Sequence, residues 1–224
     1  MARIARGFDT EAAFEHLAKR DRKLGAWMRR MGPIPADPRW RKSFDPVDAL
    51  ARAILYQQLS GKAAATIVSR VETAIDSDRF HCDTLARCDD ATIRACGVSG
   101  NKLLALRDLA LRESRGEIPD LRRMAGMDND AIIAALVPVR GVGRWTVEMM
   151  LMFRLGRPDV LPVDDLGIRK GAQVVDRLDE MHTPKELAQR GEKWGPYRTY
   201  ASLYLWRIAD AGGNAKEPVK RSQE

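Results

Sequence analysis

The sequence predicts an all-α protein, and three of its features carry that expectation. Apolar residues return at three- and four-residue spacing in segment after segment, the spacing of one helix face. β-Branched residues are scattered, and apolar–polar alternation never persists long enough for a strand. Helix punctuation also falls where the periodic stretches begin and end.

Taken in order, the pattern predicts a helix over 10–31 and another over 46–58. The next runs over 61–75, where Ser60 can serve as its cap, and helices over 84–95 and 102–113 follow. Asp128 can cap the helix over 128–137, which ends in an Ile-Ile-Ala-Ala-Leu run. A methionine-rich helix over 144–155 is stopped by Gly156 and Pro158. The helix over 166–178 starts behind Asp164 and Asp165, and Thr183 with Pro184 opens the one over 184–194. The last, over 197–211, carries Tyr197, Tyr200 and Tyr204 at helical spacing, which is the pattern of a core stripe. A polar tail over 212–224 is expected to fray, and no repeat or low-complexity linker divides the chain.

Composition narrows the classes of function. The 224 residues are 45% hydrophobic, enough to bury a core without covalent staples. Lys and Arg number 38 against 31 Asp and Glu, a net charge of +7 that suits a polyanionic partner. Three cysteines, Cys82, Cys88 and Cys96, form neither an even set nor a paired Cys-x-x-Cys motif, which argues against a disulfide framework and a zinc knuckle. No apolar run has the length of a signal peptide or membrane span. The expectation is a cytoplasmic, nucleoid-associated protein, or a nuclear one in a eukaryote, with no membrane partner and acting as a monomer.

Two motifs carry chemistry. In Val137-Pro-Val-Arg-Gly-Val-Gly-Arg144, two glycines flank one apolar residue between successive helices. Gly141 and Gly143 permit a tight turn that buries Val142 and presents backbone amides at a helix start, a geometry that suits a phosphate. Taken alone, the triplet fits an ordinary helical hairpin better. Arg140 and Arg144 bracket it and favour a DNA backbone contact, which by itself carries no base information. Some twenty residues on, Val160-Leu-Pro-Val-Asp-Asp-Leu-Gly-Ile168 sets an acid pair at a helix start. Capping explains such a pair well when it stands alone.

The order of these features resembles the helix-hairpin-helix superfamily of DNA glycosylases, in particular its 3-methyladenine glycosylase II branch. The run Gly141-Val-Gly-Arg-Trp-Thr-Val-Glu-Met-Met150 through Asp165-Leu-Gly-Ile168 carries the likeness. So do His16-Leu-Ala-Lys-Arg-Asp21, Ala53-Ile-Leu-Tyr-Gln-Gln-Leu-Ser60, Asn101-Lys-Leu-Leu104 and Tyr197-Arg-Thr-Tyr-Ala-Ser-Leu-Tyr-Leu-Trp206. The resemblance covers roughly 14–209. It implies two helical lobes, about 1–45 with 158–211 and about 46–157, with the hairpin at 137–143 beside an active-site cleft.

Residue roles follow from the same resemblance. It puts the catalytic carboxylate on Asp165 and leaves Asp164 as a helix-start or supporting acid. It places Trp145, Met149 and Trp206 around the flipped base, where an indole attracts a cationic N-alkylated purine. Gln58 is implied as the side chain that fills the gap in the duplex, with Leu59 as the alternative. Arg140, Gly141, Gly143 and Arg144 are implied to hold the DNA backbone. Carbonyl oxygens of Val137, Val139 and Val142 are implied to hold a sodium or potassium ion, although Arg140 replaces the proline common before the first glycine.

Subclass is read from two absences. Strand-nicking relatives place a Schiff-base lysine two residues after the second hairpin glycine, where this chain has Trp145, so water must be the eventual nucleophile. Cluster-bearing relatives carry four cysteines near the C-terminus, whereas the three here lie between 82 and 96, so no iron–sulfur cluster is expected and no cofactor is required. The expected protein is a monofunctional glycosylase that excises alkylated purines such as 3-methyladenine from double-stranded DNA. The alternatives are a glycosylase for another damaged or mismatched base and a non-catalytic hairpin DNA-binding protein. His16, His81 and His182 are given no catalytic part.

Overall fold

The computed structural model describes residues 6–212, and among these every regular element is helical. The helices are α1 (Thr10–Arg20), α2 (Arg22–Met31), α3 (Pro46–Tyr56), α4 (Gly61–Ala74), α5 (Cys82–Leu85), α6 (Asp90–Ala95) and α7 (Gly100–Ser114). They continue with α8 (Leu121–Ala125), α9 (Asn129–Leu136), α10 (Arg144–Phe153), α11 (Leu166–Asp176), α12 (Pro184–Gly191) and α13 (Arg198–Asp210). Short 3-10 turns occupy Pro38–Arg41 and Glu192–Trp194. Beyond Gly212, the tail expected over 212–224 lies outside the described residues. No helix among the described residues is long and apolar enough to cross a membrane.

The chain divides into two compact units, one taking the chain up to Lys42 and from Glu148 on, the other Ser43–Val147. The division falls inside α10, whereas the resemblance implies it at about 157, after that helix.

In the first unit, the helix expected over 10–31 is broken. Asp21 adopts an extended backbone, and its Oδ1 accepts the amides of Lys23 (3.1 Å) and Leu24 (3.2 Å), so a new helix starts there. The break serves a buried ionic cluster. Asp21 Oδ2 accepts Trp194 Nε1 at 2.8 Å and faces Arg190 Nη1 at 2.5 Å, while Arg190 Nε donates to Asp176 Oδ2 at 2.8 Å. His182 Nε2 lies 2.9 Å from the same Asp176 oxygen. The cluster thus ties α1, α2, α11 and α12 at one corner. Above it, α11 packs on α13 so closely that a Cβ on Gly171 would lie 2.0 Å from the Leu205 carbonyl oxygen. Tyr200 and Tyr204 are fully buried, as a core stripe should be, and their hydroxyls donate to the Ile34 (2.9 Å) and Gly32 (2.8 Å) carbonyls.

In the second unit, the helix expected over 84–95 is likewise two. Asp89 caps α6 through the Thr92 amide at 2.8 Å, and Arg107 donates to the Leu85 and Cys88 carbonyls at 2.6 Å each, satisfying the chain where α5 ends. Apolar spacing runs on through both breaks, which is why periodicity alone joins the pieces. The short α8 and the Pro38–Arg41 turn leave too little periodic signal to predict. Asp128 caps α9 as expected, through the Ala131 amide at 2.7 Å.

Gly171→Ala should destabilise the protein by about 3 kcal/mol, because backbone must move to admit the methyl group. Urea denaturation measures this, and an unchanged midpoint would mean the helices are not held at this spacing. Burial disfavours the Asp176 charge, but Arg190 and His182 outweigh that and hold its carboxyl down to about 2, from an ordinary 3.8. A depressed carboxyl stabilises the fold above its unfolded value and ceases to do so as pH falls through its folded value. Stability should therefore fall between about pH 4 and pH 2, and fall less steeply in Asp176→Asn, as denaturation midpoints across that range would record.

Candidate active site

The approach to Asp165 is held by the head of α13. Arg198 grips Asp159 through two bonds, of 2.6 and 2.7 Å. Thr199 Oγ1 donates to the Arg157 carbonyl (2.6 Å) and accepts the Val160 amide (3.1 Å). A turn then closes from the Asp165 amide to the Pro162 carbonyl at 3.1 Å. Chain 157–165 is thereby fixed before α11 begins.

Asp165 itself caps α11, its Oδ1 accepting the Ile168 amide at 2.9 Å. Asp164, to which a helix-start role was open, is exposed and does not hold that position. The same Oδ1 accepts the Trp206 indole Nε1–H at 2.8 Å from α13. Gly167 makes the contact sterically possible, since a Cβ there would lie 2.8 Å from Trp206 Cδ1 and 3.2 Å from Asp165 Oδ1. Capping alone needs only the Ile168 amide. A second donor, brought from 41 residues away, fixes the carboxylate beyond what a helix start requires.

Aromatic residues continue from there. Trp206 stacks on Phe153, with centroids 5.9 Å apart and planes inclined by 22°. The Arg39 guanidinium covers the Phe153 ring at 4.7 Å. Sequence reasoning singled out Trp206 but neither Phe153 nor Arg39. Met149, half-buried, lies one helical turn before Phe153 on α10. Trp145 lies a further turn back, 49% exposed, in the part of α10 that belongs to the other unit.

The hairpin is built within the second unit. The Val142 amide donates to the Val139 carbonyl at 3.0 Å across a turn whose third residue, Gly141, has φ 76°, a conformation that favours glycine. Val142 and Val139 are buried, while Arg140, Gly143 and Arg144 are exposed. Arg140, where the resemblance leads one to expect proline, donates its amide to Asp108 Oδ2 at 2.8 Å, a bond no proline could make. Burial opposes the Asp108 charge, yet that amide and Arg112 hold its carboxyl below the usual range. Gln57 Nε2 donates to the Gly141 carbonyl at 2.8 Å and ties the hairpin to the α3–α4 turn. In that turn Gln58 has a left-handed φ of 56°, and both it and Leu59 are exposed. Gln57 was not singled out, because a lone glutamine beside another carries no signal of a partner 84 residues on.

Among the carbonyls suggested for a cation, that of Val139 accepts the turn amide with one of its two lone pairs. Carbonyl oxygens are ligands of the type that a hard cation takes, and this bond leaves the second lone pair of Val139 for one. His16 Nε2 pairs with the Gly195 carbonyl at 2.8 Å and His81 Nδ1 with Glu113 at 2.5 Å, so both rings have structural partners, as has His182.

Comparison with known proteins gives a consistent pattern. The family model described as "HhH-GPD superfamily base excision DNA repair protein" matches residues 51–197. The Schizosaccharomyces pombe protein named DNA-3-methyladenine glycosylase 1 is 36% identical over 177 residues, covering 79% of this chain and 77% of that protein. A solved structure of the S. pombe 3-methyladenine DNA glycosylase in complex with abasic DNA superposes with a TM-score of 0.75 at 33% identity, over 89% of this chain and 97% of that one. The DNA-3-methyladenine glycosidase of Bacillus halodurans superposes with a TM-score of 0.82 at 32% identity, over 93% and 94%.

Gly167→Ala should push the Trp206 indole off Asp165. The Trp206 indole N–H resonance should then move and exchange faster with solvent, while that of Trp194, bonded to Asp21, stays. An unmoved Trp206 resonance would show that the absent side chain does not set this contact.

Proposed function

The chain belongs to the HhH-GPD superfamily of base excision DNA repair proteins, and from this we propose that it is a monofunctional DNA glycosylase that hydrolytically excises alkylated purines, 3-methyladenine among them. The observation that carries the proposal is the Asp165 carboxylate, held by the α11 N-terminus and by the Trp206 indole at 2.8 Å. The relatives named above are glycosylases for 3-methyladenine, and one of them is seen on abasic DNA.

Cleavage of an N-glycosidic bond passes through a sugar carrying positive charge. A carboxylate already fixed in place stabilises that charge without reorganising, and Asp165 supplies it. N-alkylated purines are cationic and leave readily, so no strong general acid is needed. Trp145, Met149 and Trp206 contact the extruded base, the indoles favouring its positive charge. Trp145 occupies the place a Schiff-base lysine would take, so water completes the reaction and the strand stays intact until another activity cuts it.

Backbone amides around Gly141 and Gly143, with Arg140 and Arg144, hold phosphates of the duplex. Gln58, with Leu59 beside it, fills the gap left by the flipped nucleotide. The carbonyls of Val137, Val139 and Val142 would hold a monovalent cation at the hairpin, adding positive charge near a phosphate. The protein works where the DNA is, in the nucleoid or in a nucleus.

Asp165→Asn keeps a good helix cap and removes only the charge. Single-turnover release of 3-methyladenine from methylated duplex DNA should slow on the order of 10²-fold or more, with binding of abasic DNA retained. Asp164→Asn should lose little. Excision that persists in the Asp165 variant would overturn the mechanism.

A further inference from the structure

The Arg39–Phe153 contact is not used by the chemistry above, and the local structure around it is more elaborate than a surface ion pair needs. Arg39 sits in the Pro38–Arg41 turn, capped by Asp37, whose Oδ1 accepts the Arg39 amide at 2.8 Å. Asp37 also accepts the Arg39 side chain, from Nε at 3.0 Å and from Nη2 at 2.6 Å, which fixes the plane of the guanidinium. The next residue, Trp40, is buried and donates its Nε1–H to the Met152 carbonyl at 2.8 Å, one residue before Phe153. The turn is thus pegged to the end of α10, and the guanidinium lies over the Phe153 face at 4.7 Å. The other contacts run in sequence: Phe153 against Trp206 at 5.9 Å, and Trp206 against Asp165 at 2.8 Å.

We propose that Arg39, held by Asp37, is a positioning residue that clamps Phe153 against Trp206 and so fixes the indole that donates to the Asp165 carboxylate. Three chain segments far apart in sequence meet in this stack, and Arg39 closes its outer end. Pairing with Asp37 also offsets the guanidinium charge, so a cation can lie over the aromatic group without repelling a cationic base. The proposal rests on the catalytic part given to Asp165.

The test compares Arg39→Met, which loses the planar cation, with Arg39→Lys, which keeps a cation over the ring. Single-turnover release of 3-methyladenine from methylated duplex DNA should slow about three- to tenfold in Arg39→Met, with partial recovery in Arg39→Lys. The Kd for a duplex carrying a tetrahydrofuran abasic site should stay within about twofold. In a Phe153→Leu background the Arg39→Met effect should shrink markedly, since the two act in series. An unchanged rate in a folded Arg39→Met protein overturns the proposal. So does a weakened Kd with a shallower salt dependence, the mark of a phosphate contact, and so do additive effects of the two substitutions. Asp165→Asn run alongside separates the failures: activity there would overturn the catalytic mechanism itself, and this proposal with it.

Discussion

The close packing of α11 on α13 is the constraint on which the candidate site depends. Where Gly171 meets the Leu205 carbonyl no side chain intervenes, and four residues earlier Gly167 leaves the space that Trp206 fills. At that distance the indole N–H reaches the same carboxylate oxygen that caps α11. A hydrogen bond to a charged group contributes about 1.5–3 kcal/mol, enough to select one rotamer for both partners. The remainder of the first unit supports this approach. Arg198 and Thr199 fix the chain that enters it, and the tyrosine hydroxyls bind α13 to the loop that follows α2.

Helix capping and catalysis are usually weighed as rival explanations of an acid at a helix start. In the function proposed for this chain they coincide on Asp165, whose cap bond is the one to the Ile168 amide. The cap bond directs Oδ1 along the helix, the indole bond fixes its second direction, and a carboxylate constrained twice is what electrostatic catalysis requires. The same economy holds at the hairpin. The Arg140 amide serves Asp108, and Gln57 serves Gly141, so the turn is braced from two sides.

Local chemistry was legible in the sequence. The spacing of apolar residues predicts the helices, the Gly-Val-Gly turn is written in its glycines, and Asp128, Ser60 and Thr183 announce the starts they cap. The position of Asp165 follows from register within a resembling motif. Long-range partners left no local trace. Nothing near Arg39 points to Phe153, and nothing near Gln57 points to Gly141, because such contacts depend on how distant segments meet. The break at Asp21 was hidden for a related reason. Its cause is a buried cluster with Arg190 and Asp176, whereas the apolar spacing around it runs on as in an unbroken helix.

The central claim is that the charge of Asp165 stabilises positive charge on the sugar. Its most direct measurement is the affinity for duplexes bearing a cationic pyrrolidine at the lesion site, compared with a neutral tetrahydrofuran at the same place. The wild-type protein should prefer the cation by about tenfold or more, as expected of a mimic of the charged transition state. Asp165→Asn should lose that preference, and Asp164→Asn should keep it. An equal preference in the wild type and Asp165→Asn would contradict the claim.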